Sequence, residues 1–302
     1  MSTANSLKSI VFSLIANVAI ASVKLFAALF THSGAMLAEA IHSFADCSNQ
    51  LLLMWGMKRA ARAPDADHPM GYGKEMYFWS FIVALLLFSM GGVFSVYEGW
   101  HRFHSEEPIE NPLLAIGILL FSLVLEGFSL WACLKEINIE REHRSVLQWA
   151  KESRTSELLV LFGENGAALI GLSIALLAIV ATLITHNPIY DAIGTMAIGV
   201  LLIAVALFVG VQTKRLLVGK SMDPVVLDDL ERFVRQQPEI KQVHKIITIQ
   251  FGSDVMVALK AQLIDSAQTQ GEIIAMINGA EAQIKSAFPA VKWIFFELDS
   301  EA

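Results

Sequence analysis

Six long apolar stretches constrain this chain more than any other feature: roughly 9–31, 36–57, 76–100, 112–134, 157–184 and 188–213. A helix needs about 20 predominantly apolar residues to cross the hydrocarbon core of a bilayer, and each stretch is long enough. The chain of 302 residues is 55% hydrophobic and only 17% charged, with a mean hydropathy of +0.54. That is too apolar for a soluble domain of this size. The expected fold class is therefore a polytopic α-helical membrane protein with six transmembrane helices. The second and fifth stretches are the most polar of the six.

The net charge of −7 matters less than where the cations lie. Lys58, Arg59, Arg62 and Lys74 fall between spans two and three. Lys135, Arg141, Arg144, Lys151 and Arg154 fall between spans four and five, and Lys214, Arg215 and Lys220 follow span six. The opposite loops offer only Arg102. Cytoplasmic loops carry the excess of Lys and Arg, so both termini are expected in the cytoplasm. The first apolar block is too long for a signal-peptide core and has no clear small-residue cleavage site. The expected setting is a multi-pass protein of the cell inner membrane.

The chain is expected to divide into a transmembrane part, 1–215, and a cytoplasmic part, 216–302. Near Gly219 the string VGKSMDP breaks the last apolar helix. After it, PVVLDDLERFVRQQPEI has helical spacing, with Ser221 and Asp223 as candidate caps. KIITIQFG, VMVALKAQLID and VKWIFFELD read as strands, and EIIAMINGAEAQIKSAF between the last two reads as a helix. The order α-β-β-α-β suggests a small two-layer α+β domain. Alone it would be marginally stable, and pairing with a second copy is one remedy. The two cysteines, Cys47 and Cys133, both fall in apolar spans and give no reason to expect a disulfide.

Polar groups inside spans carry the chemistry. A charge at the bilayer centre costs about 2.5–3.5 kcal/mol, so one without a task is unlikely to persist there. Span two carries His42, Asp46 and Asn49, which at i, i+4 and i+7 share one helical face. An imidazole and a carboxylate one turn apart make half of a four-coordinate site for a divalent transition metal. The pair favours zinc, iron, cobalt or manganese over calcium. The same spacing also suits a His–Asp hydrogen bond that only joins helices. Span five offers Glu164 and Asn165 between Gly163 and Gly166, where glycines admit a close neighbour. Glu164 there either faces span two or reaches to water at the cytoplasmic end. Glu126 in span four is a further intramembrane carboxylate, suited to a proton path or an interhelical hydrogen bond. Histidine titrates near neutrality and carboxylates in low dielectric titrate upward, so groups that hold a metal can take up protons when it leaves.

These residues resemble the cation diffusion facilitators. The likeness rests on GAMLAEAIHSFAD entering span two, PDADHPMGYGK before span three, NPIYDAIGTMAIGVLL in span six and the α-β-β-α-β tail, and it runs over essentially the whole chain. The resemblance implies a homodimer that exports a divalent metal, usually zinc, in exchange for protons, and a ferredoxin-like cytoplasmic domain. The family's first ligand pair maps onto His42 and Asp46. The second pair departs: the following small-residue run places Asn165 at the final Asp and Leu161 at the first ligand, with Glu164 one residue away. LEGFSL in span four, Glu152-Ser153-Arg154 and the Glu164-Asn165 step resemble the branch that includes the human mitochondrial zinc transporter nine. An amide oxygen suits a harder ion such as manganese better than zinc. Asp65 and His68 match peripheral ligands, but the third position is Tyr72, so that site is expected to be weak or absent. His244 matches one ligand of the dimer-bridging cluster, whose other positions fall near Ala261, Phe295 and Glu297, so no full binuclear cluster is expected.

The sequence therefore points to proton-coupled efflux of a divalent cation by alternating access. The expected metal ligands are His42, Asp46, Glu164 and Asn165, with Asn49 and Glu126 as candidates for a supporting shell or a proton path. The alternatives are a transporter of the same fold selective for manganese, iron or cobalt, and a non-transporting membrane regulator. The absence of HExxH and of a nucleophile arrangement speaks against an enzyme. No cofactor beyond the cargo and no nucleic-acid partner is expected; the lipid bilayer is.

Overall fold

The structure, a computed structural model, describes residues 3–105, 109, 111–265 and 269–300, with side chains from residue 17 onward. Long helices come first: α1 (Thr3–Thr31), α2 (Gly34–Ala60) and α3 (Glu75–Leu86). A π-helical turn (Leu87–Val93) continues α3 directly into α4 (Phe94–Ser105). Then follow α5 (Pro112–Glu140), a short α6 (Val146–Glu152), α7 (Ser156–Thr185) and α8 (Ile189–Gly219). The helical run 75–104 and the helices α5, α7 and α8 are long and apolar enough to cross a membrane. The described side chains of α1 give a shorter apolar stretch, Asn17–Thr31. α2 is 27 residues long, and its polar stripe lowers its hydropathy.

These helices bury small residues inward and leave large apolar ones outward. Ala27, Ala35, Ala38, Ala167, Ala175 and Leu202 form the shared core of α1, α2, α7 and α8. On α5 the side chains of Leu113, Phe121, Phe128, Trp131 and Ile139 are all exposed. An apolar belt of that extent suits lipid, not water. The π-helical turn packs on α8 without intervening bulk: a Cβ at Gly199 would sit 2.8 Å from the Gly92 carbonyl oxygen. Small residues let helices approach this closely in a membrane.

α8 positions α2. Asp191 in the first turn of α8 is buried. Its carboxylate accepts from the Ser33 hydroxyl at 2.7 Å and from the Gly34 and Ala35 N–H groups at 2.7 and 3.4 Å. Ser33 is itself the N-cap of α2, accepting from the Met36 N–H at 3.2 Å. Orphan N–H groups at a helix start need acceptors, and a carboxylate there also meets the positive end of the helix dipole. Asp191 lies inside the NPIYDAIG string, and nothing in its local spacing marks a partner 157 residues away.

The tail runs α9 (Pro224–Arg235), β1 (Ile240–Phe251), β2 (Asp254–Leu263), α10 (Gln270–Ala287) and β3 (Val291–Leu298). The sheet order is β1-β2-β3, with β1 antiparallel and β3 parallel to β2. β2 alternates strictly, sending Val255, Val257, Leu259 and Ala261 into a core shared with Leu230, Val234 and Ile284 of the helices. Asp223 caps α9, and Thr269 with Glu272 forms a capping box on α10. α8 continues to Gly219, four residues past the 215/216 division expected from composition.

Two seams join tail and membrane helices. At one, Tyr77 on α3 accepts from the Gly252 N–H at 2.9 Å and donates to its carbonyl at 3.3 Å. Lys74 lies over the Phe251 ring, 4.7 Å from its centroid. At the other, Arg154 donates to the carbonyls of Ser221 and Met222, and Arg144 pairs with Asp223 at 2.7 Å. The β1–β2 turn fits the first seam because Gly252 adopts φ +64° and its Cα faces the Gly73 backbone. Gly252→Ala places a Cβ 2.9 Å from the Gly73 carbonyl oxygen, in a conformation costing an L-residue about 1–2 kcal/mol. The substitution is expected to speed amide hydrogen exchange at 251–254 and at Gly73 while the apolar helices stay protected. Unchanged exchange there would show that this seam holds nothing.

Candidate cation site

α2 delivers its polar stripe to the middle of the helical part. His42 and Asn49 are buried, and Asp46 between them keeps 21% exposure. The His42 Nδ1 stands 3.6 Å from the Asp46 Oδ1, a loose contact rather than a hydrogen bond. Both His42 ring nitrogens and that Asp46 oxygen lack a hydrogen-bond partner among the described residues. Unpartnered buried polar atoms are costly and suit a site that awaits an ion.

Asp46 opens onto a cavity of about 90 Å³. Around it stand Glu164 and Asn165 of α7, Glu126 and Ser129 of α5, and Ser43 and Gln50 of α2. Asn17 and Ile20 of α1, Leu125 of α5 and Leu161 of α7 complete the lining. The structure thus brings Asp46, Glu164, Asn165 and Glu126 to one space, although they come from three helices. The second candidate half-site on span five does face α2. Asn49 is placed differently: it lies behind the cavity and donates to Glu164 Oε1 at 2.5 Å. Ser129 donates to Asn165 Oδ1 at 3.2 Å. His42 is not part of the cavity wall, and among the described residues no group of three or more His, Cys, Asp or Glu side chains is close enough to hold a metal ion. The carboxylates sit on separate helices, so a rigid cage would need α2 and α7 to move together.

Two buried charges escaped the sequence reading. Lys24 of α1 is 1% exposed, and Glu39 of α2 is fully buried. Their 3.4 Å contact, with a 2.8 Å hydrogen bond from Lys24 to Ser43, extends the polar stripe of α2 by one turn toward its N-terminus. A lysine in a first apolar stretch, and Glu39 three residues before His42, were the available signals. Pairing them required tertiary structure.

Outside the membrane helices, the loop candidates are committed elsewhere. Asp65 accepts from the Asp67 and His68 N–H groups at 3.1 and 2.8 Å and from the Tyr72 hydroxyl at 2.6 Å. The His68 ring stacks on Tyr72, centroids 4.2 Å apart. Asp65 and His68 therefore shape the loop, and Tyr72 fills the third position with a hydrogen-bond donor. The Tyr72 hydroxyl, followed by the His68 N–H, holds the Asp65 carboxyl below the usual aspartate range. In the tail, the His244 ring nitrogen Nε2 lies 3.2 Å from the Asp299 carbonyl. Cys47 and Cys133 are free and buried.

A family model of the cation efflux transmembrane domain matches residues 10–218, more than half of the chain. The chain belongs to the cation diffusion facilitator family. It is 33% identical over 271 residues to the mitochondrial proton-coupled zinc antiporter SLC30A9 of Xenopus laevis, covering 87% of this chain and 48% of that protein. Against the human SLC30A9 it is 33% identical over 231 residues, covering 76% of this chain and 41% of the relative. Metal tolerance protein C4 of Arabidopsis thaliana is also 33% identical, over 214 residues, 70% of this chain and 47% of the plant protein. The chain thus spans about half the length of these relatives. The cation-efflux pump FieF of Yersinia pestis is 22% identical over 247 residues, covering 80% of this chain and 76% of the pump. The family is one of membrane transporters, not enzymes. The relatives at 33% identity include proteins named as mitochondrial, which does not favour the expected cell inner membrane.

Asn49→Ala leaves Glu164 buried without its donor and is expected to destabilise the detergent-solubilised protein by about 1–3 kcal/mol, read as a lower thermal midpoint. An unchanged midpoint would rule the contact out as a support of the site. Asp65, held low, contributes loop order above its unfolded value, 3.8. That contribution is lost as pH falls through the still lower folded value. Tyr72→Phe removes the largest cause and is expected to move the Asp65 titration upward, as followed by carboxyl carbon NMR.

Proposed function

We propose that this chain exports a divalent transition-metal cation in exchange for protons, using alternating access in a homodimer. The observation that supports it is the cavity itself: Asp46, Glu126 and Glu164 around about 90 Å³ in the middle of apolar helices. Carboxylates in such a place mark an ion or proton pathway by default. Loaded, Asp46, Glu164 and Asn165 hold the cation, and His42 joins from one turn away on α2. Unloaded, the carboxylates and the imidazole accept protons, which makes the exchange obligatory. Asn49 keeps Glu164 aimed at the cavity throughout.

In this reading α1, α2, the helical run 75–104, α5, α7 and α8 are six spans with both termini on the cytoplasmic side. The order α9-β1-β2-α10-β3 is a ferredoxin-like cytoplasmic domain. The sheet face away from its helices exposes Ile247 and Phe295, which gives a second copy an apolar surface to cover.

Zinc is the first cargo to test, because relatives at 33% identity are named zinc antiporters. A specific observation favours a harder ion as the second. Every polar donor on the cavity wall is oxygen or amide, with no thiolate or imidazole among them. Such a shell suits manganese better than zinc. Purified protein in vesicles with an internal pH dye and an internal metal indicator decides both points. Zinc, manganese, iron, cobalt and cadmium are offered in turn. Metal-dependent proton flux is expected for at least one, and Asp46→Ala is expected to fall to the background of protein-free vesicles. Wild-type flux in Asp46→Ala would refute the site, and no flux with any ion would refute transport.

A further inference from the structure

Lys24 and Glu39 sit at the end of the cavity where α2 begins, and the exchange derived above does not use them. On α1, Asn17 and Ile20 line the cavity, and Lys24 follows one turn later on the same face. Its ammonium donates to Ser43, itself a cavity residue, at 2.8 Å, and faces Glu39 at 3.4 Å. α7 makes room for this pair: a Cβ at Gly171 would lie 2.6 Å from Glu39 Oε1. That oxygen has no hydrogen-bond partner among the described residues. A buried ion pair of this kind is poor evidence of stability, because removing two charges from water offsets most of their attraction. Its presence beside a cation cavity asks for another reason.

We propose that Lys24 is a tethered counter-cation of the transport cavity, closing its outward end and setting how tightly the cargo is held. The inference rests on the cation-site reading above. With the cavity empty, the ammonium compensates the carboxylates and keeps Glu39 and Ser43 together across α1 and α2. With a divalent ion at Asp46 and Glu164, the same fixed charge repels the cargo. The repulsion holds affinity low enough for release. Lys24 is thus a positioning residue that acts through charge and need not touch the ion.

Charge makes a prediction that packing does not. Lys24→Gln removes a positive charge and is expected to tighten zinc or manganese binding roughly tenfold or more. Glu39→Gln leaves Lys24 uncompensated and is expected to weaken binding by a similar factor. Lys24→Arg keeps the charge, and the double variant Lys24→Gln/Glu39→Gln restores the balance, so both are expected close to wild type. Affinity is read by calorimetry on purified full-length protein in detergent, with monodispersity as the folding check and Asp46→Ala as the site control. In vesicles, Lys24→Gln is expected to lower the KM and the maximal rate together, because the ion leaves slowly. Opposite shifts in the two single variants support the proposal. Shifts in one direction, or none, while Asp46→Ala still loses binding overturn it alone. Wild-type binding by Asp46→Ala overturns the site reading and this proposal with it. If Lys24→Gln fails to fold, Glu39→Gln and the double variant still decide: equal affinities in those two overturn the proposal.

Discussion

A carboxylate buried among apolar helices must find compensation on a neighbouring helix, and much of this architecture follows from that constraint. α2 carries Glu39, His42, Asp46 and Asn49 along one stripe, and none of them has an adequate partner on α2 itself. Lys24 of α1 answers Glu39, and Asn49 answers Glu164 of α7. Asp191 of α8 answers the open N–H groups where α2 begins. α2 is therefore held along its length by polar contacts to three helices, while its apolar residues supply the close packing. Polar contacts of this kind give each helix one rotation and one depth, which apolar packing in lipid specifies less sharply.

What remains uncompensated is as informative as what is paired. His42 and one oxygen each of Glu39 and Asp46 have no hydrogen-bond partner among the described residues, and of these three Asp46 lines the small cavity. In a folded protein such atoms are usually satisfied. Here all three lie on α2. The tail is joined to the helical part by side chains that bond its backbone. Tyr77 holds the β1–β2 turn and Arg154 holds the start of α9.

Period and composition made much of the fold legible. The apolar stretches read as membrane helices because twenty-residue apolar runs have few other fates, and among the described residues four helices meet that length and hydropathy. The alternating strands of the tail and the start of α9 were visible because β2 alternates strictly and Asp223 caps that helix. The site was half legible. His42, Asp46 and Asn49 share a face by helical geometry alone, and Glu164 with Asn165 stood out as polar groups between glycines. Lys24, Glu39 and Asp191 were missed, since each gains its meaning from a partner on another helix. Asp65 and His68 were legible as a pair by residue type, while the hydrogen bond from the Tyr72 hydroxyl to Asp65 appeared only in the structure.

Sequence alone determined that this chain is built of membrane helices with a small α+β tail, and that its second helix carries a one-sided polar stripe. Both are consequences of periodicity, which is local. Tertiary structure decided which of those polar groups meet. Asp46 shares a cavity with Glu164, Asn165 and Glu126, Asn49 supports Glu164 from behind, and Lys24 stands at the cavity's end. The physical reason is that charge compensation in a low-dielectric interior operates over a few ångströms in space, and helices distant in sequence must pack before those distances exist.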